Sequence, residues 1–325
     1  MTTLVTGAGG FLGGLVTKRL VAQGRAVRAL DLAFPAGVPE GIEKIEGSVL
    51  DPECLARAAS GVSHIVHAAA IAQLWTPGRF DYDRVNVVGT CRVLAEARRN
   101  DARMVHVSSF TTLIGADTPD GAVLDEKVEV APNRLLGRYP ASKRQAELAL
   151  LSAAGAGVDA CIVMPGAPVG PGDVNLTPPT AMIRDLATGR LPALLDCQLN
   201  LVDAEAVAQA IVAAMERGES GQRYLLTGDD LSIGDLAAAV AECSGVPAPR
   251  RRVPGWLALM AARGGALVSR VTKRPPGAPL TGVRLALRPC GFDNAKARER
   301  LGFAPRPALS CLSEALQWLR SAGHL

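Results

Sequence analysis

Histidine is scarce: four in 325 residues, His64, His67, His106 and His324, which argues against a His-rich metal centre. The seven cysteines, Cys54, Cys91, Cys161, Cys197, Cys243, Cys290 and Cys311, are never closer than about twenty residues. No CxxC pair or metal-ligand spacing exists, and free thiols in a reducing compartment are expected. Long apolar runs are missing as well. The stretch "WLALMAARGGALVSRV", Trp256 to Val271, is interrupted by Arg263 and a Gly-Gly pair, too short and broken to cross a bilayer. "TLVTGAGG" begins a structural element within the first residues, so no secretory leader is expected and the cytoplasm is the expected location. Charge is not one-sided: the net +4 comes from scattered arginines and demands no nucleic acid. The run Arg250 to Arg252 sits between Pro249 and Pro254 and reads as a solvated loop.

What is present is alternation. With 48% hydrophobic residues the chain can bury a large core. Short β-branched runs ("TLVTG", "AVRALDL", "HIVHAA", "MVHVSS", "ACIVMPG") alternate with helical patterns at 10–23, 52–59, 85–100 and from Pro140. That is the texture of an α/β fold with a doubly wound parallel sheet, Rossmann-type. After Gly166 the Gly and Pro content rises, in "PGAPVGPGD" and "KRPPGAPLTG". The expected division is a cofactor-binding domain at 1–165, rejoined by 198–228. A smaller, mostly helical substrate domain is expected at 166–197 and 229–325.

Two groups of residues carry chemistry. "TGAGGFLG" places Gly7, Gly10 and Gly13 directly after a strand and before a helix. A tight turn, the approach of a pyrophosphate and close helix-to-strand packing each favour a residue without Cβ there. The unpaired N–H groups of Phe11 and Leu12 at the helix start would face the phosphates. Asp31, ending the second strand in "RALDLAF", is placed to bond the adenosine ribose hydroxyls and to repel a 2′-phosphate, so NAD is expected rather than NADP. The second group is "GRYPASKRQAE", residues 137–147. As a plain helix start it would leave Lys143 and Glu147 on the solvent face. As chemistry, Tyr139 and Lys143 share one helix face, and a lysine ammonium together with a cationic nicotinamide would lower a phenol from its usual value of about 10.

These motifs in this order, with "VHAAA" at 66–70, "VNVVGT" at 85–90 and "GPGD" at 170–173, resemble the extended short-chain dehydrogenase/reductase superfamily over nearly the whole chain. The resemblance implies Tyr139 as general base and Lys143 as the residue that tunes it and binds the nicotinamide ribose. It implies Ser109 as holder of the substrate oxygen, with Ser108, Thr111 and Thr112 as rivals. Ala68, Ala69 and Ala70 would line the cofactor cleft, Asn86 would steady the central sheet, and Pro165, Gly166 and Pro168 would pass along the nicotinamide. Ser108 is a cofactor neighbour on the same grounds. The chain departs from many relatives at "EGSVLD", where Ser48 and Val49 stand in place of the aspartate-containing pair that meets adenine.

Three branches of that superfamily compete for the substrate. "RALDLAF" and "TKRPP" at 272–276 resemble the 3β-hydroxysteroid and sterol-4-carboxylate 3-dehydrogenases. "QLWTPGRFDYDRVNVVGT" at 73–90 and "PGDVNLTPPTAMIRDLATGRLPALLD" at 171–196 resemble bacterial dihydroflavonol-reductase-like, hopanoid-associated proteins. The third branch is the nucleotide-sugar epimerases and dehydratases, for which Arg184, Arg274, Arg284 and Arg288 are candidate diphosphate ligands. A protein that binds NAD without turnover is a further alternative. The expectation is NAD-dependent oxidation of a secondary alcohol on a bulky apolar molecule, a steroid or triterpenoid-type 3β-alcohol. If a carboxylate sits beside that carbon, the product is a β-keto acid that loses carbon dioxide unaided. Most of Trp256, Leu257, Leu259, Met260, Leu267 and Val268 are expected to pack their helix against the sheet rather than wall a lipid-sized pocket. A homodimer is implied by analogy, and peripheral membrane contact through the Trp256 helix is left open.

Overall fold

The structure, a computed structural model, describes every residue except 36, 79 and 80. The 73–90 stretch quoted above therefore lies partly outside the described residues, at Arg79 and Phe80. In chain order the elements begin with β1 (Thr2–Thr6), α1 (Phe11–Ala22), β2 (Ala26–Asp31), β3 (Glu43–Glu46), α2 (Pro52–Ala59), β4 (His64–His67), α3 (Gly89–Arg99) and β5 (Arg103–Val107). Then come β6 (Val123–Leu124), α4 (Arg138–Gly155), β7 (Ala160–Pro165), β8 (Ala167–Val169), α5 (Pro178–Ala187), β9 (Leu194–Leu195), β10 (Gln198–Asp203) and α6 (Ala204–Arg217). The chain continues through β11 (Arg223–Leu226), β12 (Asp229–Ser232), α7 (Ile233–Ser244), β13 (Arg252–Val253), α8 (Gly255–Thr272), α9 (Leu280–Ala286), β14 (Gly291–Phe292), α10 (Ala295–Leu301) and α11 (Leu312–Ser321).

Seven strands form a wholly parallel sheet in the order β11-β7-β5-β4-β1-β2-β3. Its apolar runs are continuous because both faces are covered. Val5, Val66, Val105 and Val163 pack beneath α1 and α6, and Leu4, Ile65, Met104 and Ile162 beneath α2, α3 and α4. Strand order reverses between β1 and β4, which opens a crevice at their carboxyl ends, the place where such sheets bind ligands. A three-stranded sheet, β12-β10-β8, carries a third core in which α5, α7 and α11 meet around Leu186, Leu236 and Leu316. Of the segment 198–228, α6 and β11 lie with the large sheet, whereas β10 pairs with β8 and β12.

Three readings of the sequence need correction. β3, "EKIE", gives no apolar signal because it is an edge strand in which Ile45 alone is buried, and charge on an edge blocks further pairing. The Gly-Gly pair does not break the Trp256 stretch: α8 runs unbroken for 18 residues. Most of its apolar side chains do not pack on the sheet either: Leu259 is half-buried, but Trp256, Leu257, Met260, Leu267 and Val268 are exposed. Ala262 and Ser269 are the buried positions of that helix. Among the described residues no helix is long and apolar enough to cross a membrane.

Candidate active site

The glycine turn is built to bring backbone close to whatever occupies the crevice. Gly7 has φ +74°, and a Cβ there would fall 2.6 Å from the Ala69 backbone nitrogen, so a side chain is excluded by conformation and by space. At Gly13 a Cβ would fall 2.0 Å from the Gly7 carbonyl oxygen, which lets α1 sit directly against the turn. No side chain caps α1, and no acidic residue occupies its first turn. The N–H groups at Phe11 and Leu12 are thus left for an anion. Asp31 is held at the end of β2, its two carboxylate oxygens accepting from Gly9 N at 2.8 Å and Leu32 N at 2.7 Å. Carboxylate lone pairs remain for ribose hydroxyls. An open helix terminus, a Cβ-free cradle and a fixed carboxylate fit a dinucleotide.

The other walls come from distant segments. Ala68 continues β4, its N–H bonding the Thr6 carbonyl, and Ala69 and Ala70 follow it beside Gly7. The 170–176 loop crosses in front of α1: Gly170 faces the Phe11 ring and Asn175 faces Gly10. Gln73 Nε2 donates to the Asn175 carbonyl at 3.1 Å and ties the two loops together. Gly166 lies where the chain passes from β7 to β8, with Asn200 so close that a Cβ would meet its Oδ1 at 2.4 Å. Pro165 is buried at the end of β7 and Pro168 pairs with Val202 in the small sheet. Of the pair expected near adenine, the Ser48 hydroxyl accepts from Leu50 N at 3.1 Å, and Val49 is buried against Gly89. That contact leaves the Ser48 hydroxyl its own proton to donate.

Side-chain alternation sorts the hydroxyls after β5. Ser108 shares parity with His106 and turns toward α4, where its hydroxyl donates to the Glu147 carboxylate. The expectation that Ser108 borders the cofactor is not met by its side chain. Thr112 donates to the same carboxylate at 2.9 Å. Ser109 shares parity with Val107 and points the other way, toward the Tyr139 phenol, on which it exerts a downward pull; its hydroxyl lies 2.9 Å from Thr111 Oγ1. Of the four candidates, Ser109 is the one brought to Tyr139.

Lys143 and Glu147 are not on a solvent face: they are 2% and 0% exposed. Lys143 Nζ donates to the Val107 carbonyl at 2.6 Å, and burial lowers it to about 8, opposed by the charge of Glu147 one turn away. Tyr139 departs from the expected downward shift. In the protein alone burial raises its phenol, and only Ser109 pulls it back. Lys143, turned to the strand end, adds no downward pull of its own in the protein alone.

Beneath this pair lies a buried polar network that includes Asn86. Asn86 Oδ1 accepts from Ile71 N at 2.8 Å, and its Nδ2 donates to Ser142 Oγ at 3.0 Å. Asn86 therefore clamps the loop after β4 to α4 rather than bracing the strands. Thr90 gives its proton to the Asn86 carbonyl, so it accepts from His67 Nε2–H at 3.0 Å, and His67 Nδ1 accepts from Thr6 at 2.7 Å. Burial, with the Lys143 charge adding to it, lowers His67 to about 3 and His106 well below its ordinary value. Both imidazoles are thus held neutral. Glu147 also accepts from Arg144 at 2.9 Å, and Glu129 bonds both Arg144 and Arg223.

Residues 3–234 match the family model described as the NAD dependent epimerase/dehydratase family. A protein of Synechocystis sp. named after dihydroflavonol 4-reductase is 32% identical, over 99% of this chain and 95% of that one. Sterol demethylase protein B of Methylococcus capsulatus is 33% identical over the full length of both chains. The crystal structure of gox2253 superposes with a TM-score of 0.84 at 31% identity, covering 100% of this chain and 99% of that one.

Proposed function

The chain belongs to the NAD-dependent epimerase/dehydratase family, within the extended short-chain dehydrogenases/reductases, and from that premise we propose that it oxidises a secondary alcohol of a bulky apolar molecule. A steroid or triterpenoid-type 3β-alcohol is the foremost substrate. Residues 166–197 and 229–325 supply the substrate side of the cleft. The observation that carries the reading is the meeting of Ser109, Tyr139 and the buried Lys143 at the end of β5, Lys143 being held there by the Val107 carbonyl.

Bound NAD supplies the hydride acceptor. Ser109 holds the alcohol oxygen and Tyr139 takes the hydroxyl proton. A phenolate is unfavourable in so buried a place, so its formation depends on positive charge brought close to it. Lys143 supplies one such charge; about nine-tenths of it is protonated at neutral pH with a value of about 8. One of its three N–H donors is spent on Val107, which leaves two for the nicotinamide ribose. Asp31 favours NAD over NADP through its fixed carboxylate. A substrate with a carboxylate on the neighbouring carbon gives a β-keto acid whose C–C bond breaks, carbon dioxide leaving and the electron pair passing into the enolate. That outcome suits the likeness to a protein named as a sterol demethylase component.

The nucleotide-sugar alternative is less well supported, because two of its four candidate cations are already engaged. Arg184 bonds Asp185 at 2.7 Å and Arg288 lies 3.8 Å from Asp120. The test is NADH formation with a panel of 3β-hydroxysteroids, hopanoid alcohols, flavanols and nucleotide sugars. NAD-linked oxidation of a polycyclic alcohol is the expected result. Conversion of a nucleotide sugar without NADH accumulation, and silence with the alcohols, would overturn the proposal.

A further inference from the structure

Six of the thirteen large apolar side chains exposed among the described residues belong to one helix, α8. Trp256, Met260, Leu267 and Val271 stand at i, i+4, i+11 and i+15, one stripe along the helix. Leu257 and Val268 widen it on one side. Val271 is 85% exposed and Trp256 66%, so the stripe faces away from the protein, opposite Ala262 and Ser269. On its other border lie Arg263 and Arg270, seven residues apart, with Lys273 and Arg274 just beyond the helix end.

Charge identifies the occupant. From residue 243 to residue 292 the chain has nine of its 35 basic residues and none of its 31 acidic ones, leaving the rest of the protein net acidic. We propose that α8 and its basic border form a docking surface for an anionic lipid bilayer, the helix lying in the interface with its apolar stripe among the acyl chains. Long cationic side chains at the edge of such a stripe reach back to headgroup phosphates while their stems stay apolar, and binding of this kind adds apolar burial to attraction toward anionic lipid. A second protein copy fits less well, because two such faces would bring like charges together.

The surface is one helix removed from the candidate site. Leu287, directly after α9, packs on Gly255 of α8. Thr281 of α9 sits so tightly on Gly137 that a Cβ there would meet it at 2.3 Å, and Gly282 of α9 faces Leu74. Gly137 is two residues before Tyr139. Docking through α8 would therefore set the mouth of the cleft at the membrane surface, where an apolar alcohol is concentrated. The docking surface itself stands on exposure and charge, independent of the substrate assignment.

The test is co-sedimentation of the full chain with vesicles of phosphatidylcholine alone or with about one third phosphatidylglycerol, at low and high salt. Binding is expected to the anionic vesicles, to fall about tenfold or more at high salt, and to be absent with phosphatidylcholine alone. The Arg263→Glu/Arg270→Glu pair should abolish it, and Trp256→Ser/Leu267→Ser should weaken it about tenfold or more. Both variants should keep the wild-type melting temperature, since the changed side chains are exposed. Failure to bind anionic vesicles, salt-independent binding to neutral ones, or a dimer that Trp256→Ser/Leu267→Ser converts to monomer would each overturn the proposal.

Discussion

Replacing Glu147 by glutamine preserves its shape and removes its charge, and the structure sets two separate consequences. The first concerns stability. Glu147 is wholly buried and bonds Ser108, Thr112 and the buried Arg144. Stripping one partner from a buried ion pair costs about 3–5 kcal/mol. Glu129 still bonds both arginines, which places the expected loss near the lower end, about 3 kcal/mol, or roughly 6 °C in melting temperature. The second consequence concerns Lys143. Opposite charges one helical turn apart, about 6 Å at an effective dielectric of about 20, attract by about 3 kcal/mol. The variant loses that attraction, which at about 1.4 kcal/mol per pH unit is equivalent to about two pH units. The assay is kcat/KM for alcohol oxidation against pH. Its alkaline limb, where Lys143 loses its proton near 8, should move about two pH units lower in the variant. A purely structural role for Glu147 would lower stability and leave the limb in place. A folded variant with an unmoved limb would refute the reasoning.

The remaining predictions concern the cofactor, the turn and the buried histidines. Asp31→Asn should weaken NAD binding about ten- to a hundredfold, the worth of a charged hydrogen bond, and narrow the preference over NADP; titration with both cofactors checks it. Gly13→Val should abolish NAD binding, because its Cβ would overlap the Gly7 carbonyl at 2.0 Å. His67 is held at about 3 and His106 well below 6.5, so the unfolded chain binds two more protons than the folded one as pH falls below 6.5. Stability should therefore fall with acid, these two groups contributing a slope that approaches about 2.7 kcal/mol per pH unit. Urea unfolding from pH 6.5 to 5 reads the slope, and a flat profile would contradict it.

The parts of the site that were legible in the sequence are those where backbone chemistry permits few residues. Gly7 and Gly13 stand where any Cβ collides, and a Tyr and a Lys four apart at a helix start share a face whatever surrounds them. What escaped is burial of charge. Lys143, Arg144 and Glu147 follow one another in a polar stretch that reads as a solvated helix face, yet all three are buried. Their partners, Ser108, Thr112, Glu129 and Arg223, come from other elements. The converse error occurred at α8, where an apolar helical period normally means core and here marks an exposed stripe. Pattern gives the face of a helix, whereas only topology decides what lies against it. The choice among Ser108, Ser109, Thr111 and Thr112 likewise needed the path of the chain after β5.

The most direct measurement compares the wild-type chain with Tyr139→Phe, following NADH formation from a polycyclic 3β-alcohol and, separately, NAD affinity by titration. Removal of the proton acceptor should lower turnover by about 10²–10⁴-fold and leave NAD affinity within about threefold, since the glycine turn, Asp31 and Lys143 are untouched. A Phe variant that turns over at the wild-type rate would contradict the assignment of Tyr139 as the base.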